Sequence, residues 1–260
     1  MKNIIFLDAG HSVTDSGAVS GAEQESYHAR RVRDELRPLL ERHFTVMCVP
    51  DNLDLIQTVK WINQYAKNLE DGYAFAIHLN SNAGKAGNGA EAWYCGGSPE
   101  GETVKVAQRI TQTIIDKYCT LSGYASRGIH SDLTSRFHRL GFVRDTNCFA
   151  GLIELCFINN KDEINFLKNN YQLIAKALYA GICNAYGIRE EQEDMRIVTQ
   201  EVLEEIYWDM FVRTPDAGAQ GYIGKEETFV RAELRKSAER KEVETDVINA
   251  RNEKQAKKNN

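Results

Sequence analysis

Short apolar runs alternate along most of this chain with longer stretches whose apolar side chains recur at helical spacing. Residues 3–8 open on Ile4-Ile5-Phe6-Leu7, the pattern of a strand buried on both faces. Residues 44–49, 73–79, 89–95 and 151–157 repeat that pattern, and residues 141–143 read as a further short strand. Between them, Val32, Leu36, Leu39 and Leu40 mark one face of a helix running through Leu40, with Pro38 bending or ending its last turn. Leu55, Ile56, Val59, Ile62 and Ala66 mark a second helix, and residues 104–118 and 161–186 supply more helix. Residues 123–140 have mixed character. Strands alternating with helices predict an α/β fold with a mostly parallel twisted sheet flanked by helices.

The character changes after Ile188. Residues 189–194 are a charged linker, residues 197–211 have amphipathic helical spacing, and Thr214-Pro215-Asp216-Ala217-Gly218 has turn chemistry. From residue 230 the chain is dense in charge with little to bury. The expected organisation is a domain over residues 1–188, followed over 189–260 by a linker, a small α-helical appendage at about 195–240 and a solvated tail.

Composition removes several classes of function. A net charge of −5 supplies no general attraction to nucleic acid or anionic lipid. No apolar run is long enough to span a bilayer. The run after Met1-Lys2-Asn3 is too short for the apolar core of a signal peptide, so the expectation is a soluble product, cytoplasmic at synthesis. The six cysteines include no C-x-x-C pair and are expected to be free, small, buried hydrophobes.

In open α/β sheets, ligands bind beyond the carboxyl ends of the strands. One strand ends Leu7-Asp8-Ala9-Gly10-His11, another carries Ala76-Ile77-His78, and a third carries Leu152-Ile153-Glu154. The first helix begins at the same edge with Glu23 and Glu25. Two imidazoles and a carboxylate suit zinc, which in catalytic sites keeps a position open for water. A further carboxylate held off the metal can move the proton. Glu154 stands out because a carboxylate between Ile153 and Leu155 in a buried strand needs a partner or a raised pKa.

Leu7-Asp8-Ala9-Gly10-His11 followed by Asp15-Ser16-Gly17-Ala18 resembles the opening of the zinc-dependent N-acetylmuramoyl-L-alanine amidases of the cell-wall and phage-lysin type. Ala76-Ile77-His78-Leu79-Asn80-Ser81-Asn82-Ala83, then Gly89-Ala90-Glu91-Ala92-Trp93-Tyr94, is similar to that family's second histidine motif. Arg127-Gly128-Ile129, then residues 152–163 around Glu154, resembles its catalytic-glutamate motif. The chain departs from the commoner G-H-G-G opening at Ser12 and Val13, which alters a loop and not a ligand.

The resemblance implies one Zn2+ held by His11, His78 and Glu25, with Glu23 as the competitor for the third place. Glu25 keeps Val32, Leu36 and Leu39 in helical register behind it. It implies Glu154 as general base and then acid, and peptidoglycan as substrate, cut by a zinc-activated water between N-acetylmuramic acid and L-alanine. Asn80 and Arg144 are the candidate substrate contacts, Arg144 toward a substrate carboxylate. His130 and His138 are read as ordinary loop or helix histidines. The segment around Arg213-Thr214-Pro215-Asp216 resembles a small helical domain of secreted bacterial and phage proteins, which implies attachment to wall or virion. A lysin of phage or prophage origin, acting on the wall after release or export, fits these features. A carboxypeptidase-type zinc peptidase and a non-catalytic wall-binding protein are the alternatives.

Overall fold

The computed structural model describes residues 3–82, 84, 87–97, 102–136 and 139–188. The continuous apolar run at the start forms β1 (Ile4–Asp8), whose middle residues are buried on both faces. That is what a strand inside a parallel, helix-covered sheet requires. It lies between β4 (Thr45–Cys48) and β5 (Tyr73–Asn80), parallel to both. β5 pairs in parallel with β8 (Phe149–Phe157), β8 antiparallel with β6 (Ala90–Tyr94), and β6 in parallel with β7 (Ser126–Ser131). The sheet order is β4-β1-β5-β8-β6-β7, mostly parallel as the alternation of elements predicts.

Residue parity sorts the core into two layers. Ile5, Leu7, Phe75, Ile77 and Ile153 face α1 (Glu25–Leu40), α3 (Glu102–Ser122) and α6 (Tyr171–Ala185), packing among Val32, Leu36, Ile114 and Leu178. Phe6, Ala74, Ala76 and Ala150 face α2 (Leu55–Tyr65) and α4 (Gly141–Asp145), packing among Ile62, Phe142 and Val143. Each large apolar side chain buried in this way contributes roughly 1.5–3 kcal/mol relative to exposure. α2 starts in a capping box. Asp54 accepts the Gln57 N–H at 2.8 Å and the Gln57 side chain accepts the Asp54 N–H at 3.0 Å.

Two expectations change, and a stretch left unassigned is resolved. Residues 141–143 form the start of helix α4, not a strand. A run of three residues is too short to reveal a period, and both Phe142 and Val143 are buried whichever conformation they adopt. The mixed stretch 123–140 contains β7 and a 3-10 turn at Asp132–Thr134. The expected helix over 161–186 is two helices, α5 (Lys161–Asn169) and α6, separated at Asn170. Pro38 lies inside α1, which ends two residues later at Leu40. Before α1, Val19–Ser20 and Glu23–Gln24 pair as a small antiparallel ribbon, β2 and β3. All six cysteines are free, three buried and three half-buried. Among the described residues no helix is long and apolar enough to cross a membrane. The appendage expected at 195–240 and its linker lie outside the described residues.

Candidate metal centre

His11 follows β1 through two left-handed residues in a row, Gly10 at φ 54° and His11 at φ 62°. Among the described residues His11 is the one non-glycine with positive φ, a conformation costly enough to persist only where the surroundings fix it. Gly10 has no alternative: a Cβ there would stand 2.6 Å from the Ile77 carbonyl oxygen and 2.7 Å from the His78 ring. Gly17 is equally bound, since its Cβ would meet the His11 ring at 2.5 Å and Glu25 Oε2 at 2.7 Å. This turn lowers the His11 imidazole onto the carboxyl ends of β1 and β5.

There it meets Glu25, the first residue of α1, and His78 of β5. His11 Nε2 is 3.0 Å from Glu25 Oε2, and His78 Nδ1 is 2.9 Å from Glu25 Oε1. Potential ligand atoms of the three side chains all lie within 4.8 Å of one another, so the cluster could coordinate a metal ion. Outer partners orient His11 and Glu25. His11 Nδ1 lies 2.8 Å from Asp15 Oδ2, an arrangement that places the proton on Nδ1 and leaves Nε2 as the donor atom. The Ala18 N–H donates to Glu25 Oε2 at 2.9 Å, and the Leu79 N–H to Oε1 at 3.0 Å.

The electrostatics agree with a cation site. Burial alone would raise the Glu25 pKa, but hydrogen bonds with His11 and His78 overcome it and hold the carboxyl well below its ordinary range. Burial alone would lower the His11 pKa, but Glu25 and Asp15 lift it to about 9. His78 is raised against burial by the same Glu25 carboxylate. An ionised, buried carboxylate that favours positive charge on both imidazoles offers the same set of lone pairs to a metal, whose binding would release the imidazole protons. The donor set therefore fits zinc.

Glu154 is on the neighbouring strand, in register with His78 on one side and with Glu91 of β6 on the other. Its Oε2 is buried and has no hydrogen-bond partner among the described residues. Burial first, then the neighbouring Glu25 and Glu91, push its pKa up to about 7, with His78 acting in the opposite direction. Two carboxylates at one sheet edge are thus driven apart in pKa, the pattern that separates a ligand from a proton carrier.

The other expected residues are placed as follows. Glu23 turns from the metal donors, with Oε2 at 2.9 Å from His28 Nε2 and Oε1 paired with Lys168. The Asn80 amide donates to Glu91 Oε1 at 2.8 Å. Arg144 spends its Nε and Nη2 on the fully buried Asp132 and its Nη1 on the Gly97 carbonyl. His130 stacks on Trp93 at 5.0 Å between ring centroids, with Nε2 3.7 Å from Glu91. His138 lies outside the described residues. Sequence reasoning missed roles for Asp15, Glu91 and Arg127. Glu91 carried the same signal as Glu154, an acid between Ala90 and Ala92 in an apolar strand, and it is buried with Arg127 Nε donating to it at 2.6 Å. A pocket of about 320 Å³ opens beside His11 and His78, with Asp8, Asp15 and Asp54 among walls that include Leu53, Leu55, Phe142 and Leu152.

Residues 5–184 match the family model described as N-acetylmuramoyl-L-alanine amidase. The chain is 30% identical over 199 residues to the germination-specific N-acetylmuramoyl-L-alanine amidase of Bacillus subtilis (strain 168), covering 69% of this chain and 78% of that protein. It is 24% identical over 198 residues to the endolysin of Bacillus phage SPP1, covering 74% and 69%. The fold is similar to the N-acetylmuramoyl-L-alanine amidase of Clostridium difficile 630, with a TM-score of 0.62 at 20% identity over 73% of this chain and 99% of that one. It is similar also to the putative N-acetylmuramoyl-L-alanine amidase of Neisseria meningitidis, with a TM-score of 0.58 at 25% identity over 71% and 96%.

Proposed function

The chain belongs to the N-acetylmuramoyl-L-alanine amidase family, and on that premise we propose that it is a zinc-dependent hydrolase of the amide between N-acetylmuramic acid and L-alanine in peptidoglycan. The observation that carries the reading is the His11–Glu25–His78 triangle, with Glu154 one strand away and in register with His78. His11, Glu25 and His78 would hold one Zn2+. When bound, zinc supplies Lewis-acid polarisation of the amide carbonyl and lowers the pKa of water.

The chain's own residues supply the proton chemistry. Glu154 is the general base: its unpartnered Oε2 accepts a proton as water attacks the amide carbon. The same oxygen then delivers that proton to the departing nitrogen of L-alanine. A carboxyl pushed up to about 7 suits both directions of transfer better than one held low, because proton donor and acceptor strengths are then balanced near neutrality. Asp15 fixes the ring of His11, and the Ala18 and Leu79 amides fix Glu25, so the donors need little reorganisation.

On the resemblance around Arg213-Thr214-Pro215-Asp216, residues 195–240 would attach the enzyme to wall or virion, and the site of action would be the wall after release or export. The test is product analysis after wall digestion by the zinc-loaded full chain. New lactyl carboxyl groups and free L-alanine amino termini are expected, and their release should collapse in Glu154→Gln. Release of C-terminal amino acids from free peptides in their place would convert the reading to a carboxypeptidase-type peptidase.

A further inference from the structure

The row of polar side chains that begins at His78 does not end at Glu154. It continues through Glu91 of β6 to Arg127 of β7, away from the pocket beside His11. Glu91 is buried, fixed by Asn80 on Oε1, and takes Arg127 by its Nε edge on Oε2. The guanidinium lies over the Phe157 ring at 5.1 Å. Its Nη1 has one long bond, 3.5 Å to the Asn88 carbonyl, and its Nη2 meets no acceptor among the described residues. The side chain is 41% exposed. A guanidinium gripped by one edge and stacked on a ring presents its outer fork in a fixed plane, the geometry that accepts a carboxylate through two parallel bonds.

We propose that Arg127 is a specificity-determining residue that binds a free carboxylate on the stem-peptide residue after L-alanine, and so orients the substrate across the site. The inference rests on the amidase reading. Strands lie roughly 4.8 Å apart, which puts the guanidinium about 5–10 Å from Glu154. An extended peptide advances about 3.5 Å per residue, so a carboxylate one residue beyond the alanine reaches it. The opposite flank disfavours such a group. Asp8, Asp15 and Asp54 repel a carboxylate, while Leu53, Leu55 and Phe142 suit the methyl groups of a neutral muramoyl sugar. The peptide therefore runs toward β7 and the sugar toward α2.

The test compares two N-acetylmuramoyl-L-alanyl peptides that differ only in a free carboxylate or a primary amide on the residue after L-alanine. The zinc-loaded full chain is expected to show a KM about tenfold lower for the acid, with similar kcat, a discrimination that salt weakens. Arg127→Gln should bring the two KM values within about twofold, and Arg127→Lys should restore part of the difference. If Arg127 served only to neutralise Glu91, the variant would slow both substrates alike and leave the ratio unchanged. That result, or a parent that treats acid and amide equally, overturns the proposal while the amidase reading stands. Calorimetry of the parent with the two product peptides separates the claims further. Tighter binding of the acid without hydrolysis of either substrate would sustain the recognition and remove the amidase; equal binding would remove the recognition.

Discussion

The two halves of the site are built by different means. On the β1 side, donors are carried by a strained loop and by the first residue of a helix, and each is held by a second acid or a backbone amide. On the β8 side, Glu154 rises from the middle of a buried strand, and its Oε2 meets no hydrogen-bond partner among the described residues. Glu25 and Glu154 are the same residue type at the same sheet edge, yet one pKa is forced down and the other up to about 7. The difference is one of partners. Glu25 accepts from two backbone amides and faces two imidazoles, whereas Glu154 is desolvated without a hydrogen bond to its Oε2 and stands beside the like charges of Glu25 and Glu91, which His78 only partly offsets. A ligand must stay ionised and fixed; a proton carrier must be able to change state.

Substitutions should split along that line. His78→Ala removes the β5 member of the metal-donor cluster and should lose both bound zinc, read by elemental analysis, and wall digestion, to background. Glu154→Gln should retain a full equivalent of zinc while digestion falls by about 10²–10⁴-fold. If Glu154→Gln also lost its metal, the division into a ligand half and a proton half would be wrong. Asp15→Ala acts at one remove. Zinc affinity should weaken about 10–100-fold, with activity recovered at high zinc, because the His11 ring is then free to turn.

The smallest effect concerns the anchor of the loop side. His28 is buried between Glu23 and the Tyr171 hydroxyl, with rings and oxygens at 2.9 and 2.6 Å, and this pair ties the start of α1 to α6. Burial lowers its pKa below the ordinary histidine value even though its ring N–H donates to Glu23, which acts in the opposite direction. Its folded pKa is depressed, so its contribution to stability is complete above about 6.5 and is lost as the pH falls through the lower folded value. The melting temperature should drop more between pH 7.5 and 5.5 in the parent than in His28→Gln, by about 2–4 °C. An equal drop in both would show that the pH sensitivity lies elsewhere than at His28.

Much of this was legible before any fold was described. Ile4-Ile5-Phe6-Leu7 and Leu152-Ile153 read as buried strands, which they are, and Glu154 inside the latter reads as an acid needing a partner or a raised pKa. What stayed illegible was local in one case and distant in the others. Residues 141–143 had too little length for a period to speak. Arg144 looked available because Asp132, which occupies it, is far enough along the chain that no spacing links the two. Glu23 and Glu25 were separable in sequence only by register; in the folded chain, Lys168 and His28 claim the first and the imidazoles claim the second.

The primary structure by itself determined the α/β alternation, the edge at which chemistry collects, and the kinds of atom available there, because period and residue type are local properties. Which atoms meet was decided by the tertiary structure alone. Three donors from a loop, a helix start and a strand become one cluster only when β1 and β5 lie side by side. Glu91 and Arg127 become part of the same row only because β6 runs antiparallel to β8 and brings them past Glu154. Proximity between segments far apart in the chain is a property of packing, and electrostatic character follows from that packing rather than from composition.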